Sequence, residues 1–67
     1  MDRHFCFMET ISGEEFIVGA RNRIVAFGVA EVIGADIGSQ YNDDEYEIKF
    51  LCEMTDEEAE ASGLDEY

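Results

Sequence analysis

Proline is absent from this 67-residue chain and its six glycines are scattered, so no linker or low-complexity stretch divides it. A single compact domain over residues 1–67 is expected. Histidine occurs once, at His4, and cysteine twice, at Cys6 and Cys52. No C-x-x-C or H-x-x-x-H spacing arises from them, and three ligands would leave a tetrahedral structural zinc site one short. No metal and no cofactor is expected. Catalysis needs convergent groups in a water-poor pocket, yet His4 has no serine or second histidine placed to work with it, and both cysteines sit among Phe, Met and Ile. Buried structural thiols explain them. A chain this short hides only about 60% of the surface it exposes when unfolded, which leaves one thin core and no room for a deep enzyme cleft. A non-enzyme is expected.

Long apolar runs are missing too. The longest, Ile24 to Ala35, is broken by Glu31 and is about half the length of a membrane span. Residues 1–11 mix Asp2, Arg3, His4 and Glu9 among apolar positions and do not read as a signal peptide. The expected setting is the reducing cytoplasm, with no membrane role. Gly28, Gly34 and Gly38 do not form a glycine-rich phosphate loop. The twelve residues Asp36 to Glu47 end in glutamate as an EF-hand loop does, but Gly38 and Gln40 stand at ligand positions and Tyr41 where the sharp turn needs glycine. Calcium has no built site there.

Positive charge is scarce as well: four Lys and Arg face seventeen Asp and Glu, for a net charge of −13. The imbalance is local. From Asp43 to Tyr67 eleven carboxylates meet only Lys49, a balance of −10. Small soluble domains are comfortable with a net charge of about 2–8 in magnitude, beyond which self-repulsion opposes compaction. A partner rich in Lys and Arg supplies a physical reason for such a field. With 46% hydrophobic and 12% aromatic residues, the chain is nonetheless far from the composition of disorder.

Apolar patterning gives the elements. His4 to Ile11 and Glu15 to Val18 read as two strands joined by a tight turn at Ile11 to Glu14. From Ala20 to Ala35, Val25, Val29 and Val32, and likewise Ala26, Ala30 and Ile33, recur at helical spacing and make one broad apolar face, with Gly34 and Gly38 marking its end. Ser39 to Asp44 is polar loop. Glu45 to Met54 then alternates, with Tyr46, Ile48, Phe50 and Cys52 on one face, Glu45, Glu47, Lys49 and Glu53 on the other, and Leu51 as the exception. Thr55-Asp56-Glu57-Glu58 is a capping box opening a short helix, Asp56 to Ser62, that ends at Gly63 and is anchored by Ala59 and Leu64. An α+β fold of order ββαβα follows. The crossover from second to third strand leaves a gap for the first, giving sheet order 2-1-3 with the long helix on one face. The other face, with Cys6, Met8, Ile17 and Leu51, must meet the terminal helix, a second copy or water. The chain is therefore expected to be a monomer, or a weak homodimer through that spare sheet face.

The carboxylates carry the functional reading. Duplex DNA presents one phosphate charge per roughly 1.7 Å of axis, and a protein imitating it must crowd acids with few intervening cations. The candidate partner-binding residues are Asp43, Asp44, Glu45, Glu47, Glu53, Asp56, Glu57, Glu58 and Glu60, with Tyr41 as a flat aromatic contact among them. In size, α+β organisation and clustered acids (Asp43-Asp44-Glu45, Glu47, Glu53, Asp56-Glu57-Glu58, Glu60) the chain resembles the small acidic anti-CRISPR proteins of phages. That resemblance implies an inhibitor that occupies the target-DNA path of a CRISPR effector complex, in the cytoplasm of a bacterial host if the gene is carried by a phage, with a type I surveillance complex of the I-C subtype and its PAM-reading subunit as the preferred partner. Direct nucleic-acid binding is not expected of so acidic a surface. The alternative is an acidic antitoxin-like or adaptor protein for one small basic protein.

Overall fold

The computed structural model describes residues 2–40 and 46–67. Strands β1 (Arg3–Glu9) and β2 (Glu15–Ala20) are followed by helix α1 (Arg23–Gln40), strand β3 (Ile48–Met54) and helix α2 (Asp56–Ser62). The fold is α+β, with β1 at the centre of a sheet ordered β2-β1-β3 and antiparallel to both neighbours. The expected order 2-1-3 holds. β2 and β3 therefore run parallel to each other, and α1 makes the crossover between them.

β1 and β2 close as a hairpin from Arg3↔Ala20 to Met8↔Glu15. Its turn is organised by Glu9, which is fully buried. The Glu9 carboxylate accepts hydrogen bonds from the Ile11 N–H (2.7 Å), the Ser12 N–H (2.8 Å) and the Ser12 hydroxyl (2.6 Å). Burial pushes its pKa up, but the donors from Ser12 and Ile11 together outweigh that and hold it below the usual value. Gly13 completes the turn at φ 73°, a left-handed conformation that side chains rarely adopt.

Against β3 the register slips by one residue: Cys6 faces Cys52, but Phe7 faces Phe50. Leu51 is the extra residue of a β-bulge, which explains its place outside the alternation. The slip also corrects the expected faces. Ile48 and Phe50 stay on the α1 side with Phe5 and Phe7, whereas Cys52 crosses to the outer side beside Cys6, and Glu53, opposite Phe5, crosses to the α1 side. There it meets Arg3. The Arg3 guanidinium donates to both Glu53 carboxylate oxygens at 2.8 and 2.5 Å and lies over the Phe5 ring, 5.2 Å from its centroid.

α1 is longer and later than its sequence pattern suggests, because β2 runs on to Ala20 and Asn22 caps the helix: its side-chain oxygen accepts the Val25 N–H at 2.9 Å. Gly34 and Gly38 do not end it. Both are buried within the helix, and a Cβ on Gly34 would stand 2.3 Å from Ile48 Cδ1 and 2.7 Å from Cγ1. The face that packs on the sheet is the small row Ala26, Ala30, Gly34 and Ile37, not the valines. The sheet contributes the bulk instead, with Phe5, Phe7, Phe16 and Val18 buried against that row, and close approach then requires small residues on the helix.

The outer sheet face is taken by the terminal helix. Cys6 and Ile17 are buried there, and Ala59 anchors α2 at 8% exposure, with Leu64 half-buried. Met8 remains half-buried and Leu51 exposed. Beyond α2, Gly63 adopts φ 69° as the left-handed cap. The tail then runs parallel to β2 along its free edge: the Ile17 N–H donates to Asp65 O, the Tyr67 N–H to Ile17 O and the Gly19 N–H to Tyr67 O, each at 2.8 Å. An edge that would otherwise present unpaired backbone groups is thereby closed.

Candidate functional site

α2 begins with the expected capping box. The Thr55 hydroxyl accepts the Glu58 N–H (3.2 Å) and the Glu58 carboxylate accepts the Thr55 N–H (3.1 Å). Asp56, Glu57 and Glu58 fill the first turn, where the positive end of the helix dipole stabilises carboxylates. Only Ala59 is buried in this helix. Helical spacing sets Asp56, Glu57 and Glu60 on one side of it, all exposed, so three acids share an outward surface with no cation on their own helix.

Two basic residues trim this field. His4, on the outer face of β1, reaches Asp56 through Nε2 at 2.6 Å and Glu66 through Nδ1. Hydrogen bonding to Asp56, then to Glu66, raises its pKa above the ordinary imidazole value and favours the imidazolium. The cation thus ties β1 to the first turn of α2 and to the tail. Because its two nitrogens point to opposite sides, Asp56 and Glu66 do not converge as metal ligands. Both nitrogens being engaged, His4 is also a poor general base. Glu53 is likewise committed, its pKa lowered by the hydrogen bonds from Arg3.

The candidate residues consequently fall into groups. Asp56 serves both the surface and the His4 clamp, Glu58 closes the helix cap, and Glu53 is paired with Arg3. Glu57 and Glu60 have no ion-pair partner among the described residues and are exposed. Glu47 lies at the other end of β3, exposed, its backbone bonded to Thr10 in both directions at 3.0 Å. The seven residues of β3 separate it from α2, about 23 Å at the usual strand rise. Tyr41, Asp43, Asp44 and Glu45 lie outside the described residues. Tyr46 is half-buried beside Gly34 of α1.

Asp2, Arg3, His4, Glu53, Met54, Thr55 and Asp56 line a shallow open cleft at the root of α2. Within it Arg3 pairs with Glu53 and His4 with Asp56. Cys6 and Cys52, directly opposed across β1 and β3, lie on the same outer face, and burial, with a smaller contribution from Cys52, pushes the Cys6 thiol up to about 11. It is protonated near neutrality and a weak nucleophile. Among the described residues no helix is long and apolar enough to cross a membrane.

His4, Glu66 and Glu9 acquire roles that sequence reasoning missed, since each acts through partners distant in the chain or through a turn conformation. Asn22 was findable: an Asn three residues before the helical Val25 is a capping signal. Comparison with known protein families, curated proteins and solved structures finds no match. The reading of the site therefore rests on its own residues.

Proposed function

We propose that this protein is a non-enzymatic inhibitor whose acidic surface imitates nucleic-acid charge and blocks the basic DNA-binding groove of a partner. The observation that carries this reading is the outward side of α2, where Asp56, Glu57 and Glu60 stand exposed on a helix fixed to the sheet by Ala59 and by the His4 clamp. Rigidity matters here. Carboxylates on an anchored helix meet several cations at once without first losing chain entropy, whereas the same acids on a loose tail would have to be ordered on binding.

A DNA-binding groove uses Lys and Arg to neutralise phosphates and release counterions. An acidic protein of fitting shape sequesters those same cations, with the charge pairs setting association rate and orientation. Glu47 at the far end of β3 offers a second point of attachment about 23 Å away. The resemblance to small acidic anti-CRISPR proteins directs this mechanism to a type I surveillance complex, at the subunit that reads the PAM, and so to prevention of target-DNA binding. Mixing the protein with a type I-C complex and labelled duplex target, and following the DNA by mobility shift, tests it: loss of the DNA-bound species supports the reading. A complex that binds DNA equally well at saturating inhibitor refutes that target.

A further inference from the structure

Among the described residues, the most exposed large apolar side chains are Ile24, at 85%, and Val32, at 72%, both on α1. They stand eight positions apart with Gly28 midway, and a Cβ placed on Gly28 would meet nothing within 4 Å. Ile24, Gly28 and Val32 thus form one ridge at spacing i, i+4, i+8 on the helix side opposite the sheet, with a notch at its centre. Such a ridge is self-complementary. A two-fold axis through Gly28 sets Ile24 of each copy against Val32 of the other in an antiparallel pair, and the notch at Gly28 lets the two helices approach where they cross.

Charge selects the same occupant. Residues 21–36 contain two cations, Arg21 and Arg23, and two acids, Glu31 and Asp36, a balance of zero in a chain of −13. All of the excess negative charge lies outside this segment, so α1 is the surface on which a second copy meets the least repulsion. The antiparallel arrangement also brings the cationic N-terminal end of each helix toward the Glu31 and Asp36 end of the other.

We propose that the protein forms a two-fold homodimer through the Ile24-Gly28-Val32 ridge of α1. This interface lies on the sheet face opposite α2 and leaves both copies' α2 carboxylates exposed. Sedimentation equilibrium of the full chain tests it, across a concentration series and at two salt levels. The wild type should show a dimer mass that dissociates on dilution and is strengthened by salt, because screening relieves the residual repulsion of two −13 chains. Ile24→Lys and Val32→Glu, each occurring twice in a two-fold interface, should separately weaken association by about a hundredfold. An equimolar mixture of those two variant chains should recover a dimer, since the new charges then face each other. Unchanged circular dichroism of each variant confirms that its fold is intact. A wild type that stays monomeric throughout, variants that still dimerise, or a mixture that fails to recover would each overturn the proposal.

Discussion

Replacing His4 by glutamine should abolish most of the pH dependence of stability between about pH 6 and pH 9, a window in which the carboxylates are already ionised. In the folded protein His4 lies between Asp56 and Glu66, with 18% of its side chain exposed against 84% and 43% for its partners. These carboxylates raise its pKa, so its contribution is fully present below the unfolded value of about 6.5 and is lost as pH rises through the higher folded value. Partly exposed ion pairs contribute about 0.2–1 kcal/mol each, and the two together about 0.4–2 kcal/mol at the acid end of the window. For a domain of this size each kcal/mol moves the melting midpoint by roughly 4–8 °C. Thermal melts of the wild type should therefore fall by about 2–16 °C between the two ends of the window, while His4→Gln starts lower and stays nearly flat. If the variant keeps the wild-type slope, the imidazolium is not what ties α2 and the tail to β1.

Gly34→Ala should lower stability by about 1–3 kcal/mol in urea titrations despite the better helix propensity of alanine, because the new methyl would meet Ile48 at 2.3 Å. Full stability in that variant would mean that α1 and β3 are not packed as described. Glu9→Gln should cost about 1.5–3 kcal/mol, since the amide turns a donor toward N–H groups that the carboxylate accepts from. Because the Glu9 pKa is lowered, its share of stability is present above about 4.5 and lost as pH falls through the folded value; a wild-type acid limb in the variant would remove that assignment. Raising salt from about 0.01 M to about 0.1 M shortens the Debye length from about 30 Å to about 10 Å, against molecular extents of 35 × 22 × 15 Å. The melting midpoint should rise accordingly, and a falling midpoint would show that the Arg3 and His4 pairs outweigh the acid repulsion.

Where apolar spacing and cap chemistry act locally, the sequence could be read directly. The two short strands and tight turn of β1 and β2, the capping box from Thr55 to Glu58 and the anchors Ala59 and Leu64 all lie where their patterns put them, and the hairpin plus crossover leaves only β1 for the centre of the sheet. The face of α1 was hidden for a physical reason. Apolar residues surround that helix, so periodicity alone could not say whether the valines or the small row Ala26, Ala30 and Gly34 would meet the phenylalanines of the sheet. The bulge at Leu51 was visible only as a break in alternation, yet it decides that Glu53 pairs with Arg3 and that Cys52 faces Cys6. Of the acidic site, the exposed first turn of α2 was legible from the capping box. The subtraction of Glu53 by Arg3, and the sharing of Asp56 with His4, depend on contacts about fifty residues apart in the chain.

The central claim is that the outward acids of α2 bind where DNA binds. Competition between this protein and fluorescent duplex DNA for a type I surveillance complex, followed by anisotropy, measures it with Glu57→Lys/Glu60→Lys as the test variant, since these two acids take no part in the His4 clamp, the Arg3 pair or the helix cap. Glu14 and Glu15, exposed and outside α2, serve as the charge-matched control when both are changed to lysine. The wild type and the control should displace the DNA, with displacement weakening as salt rises, and the Glu57→Lys/Glu60→Lys protein should fail to displace it while melting as a folded domain. Equal displacement by the α2 variant, or displacement by none of the three proteins, would contradict the account.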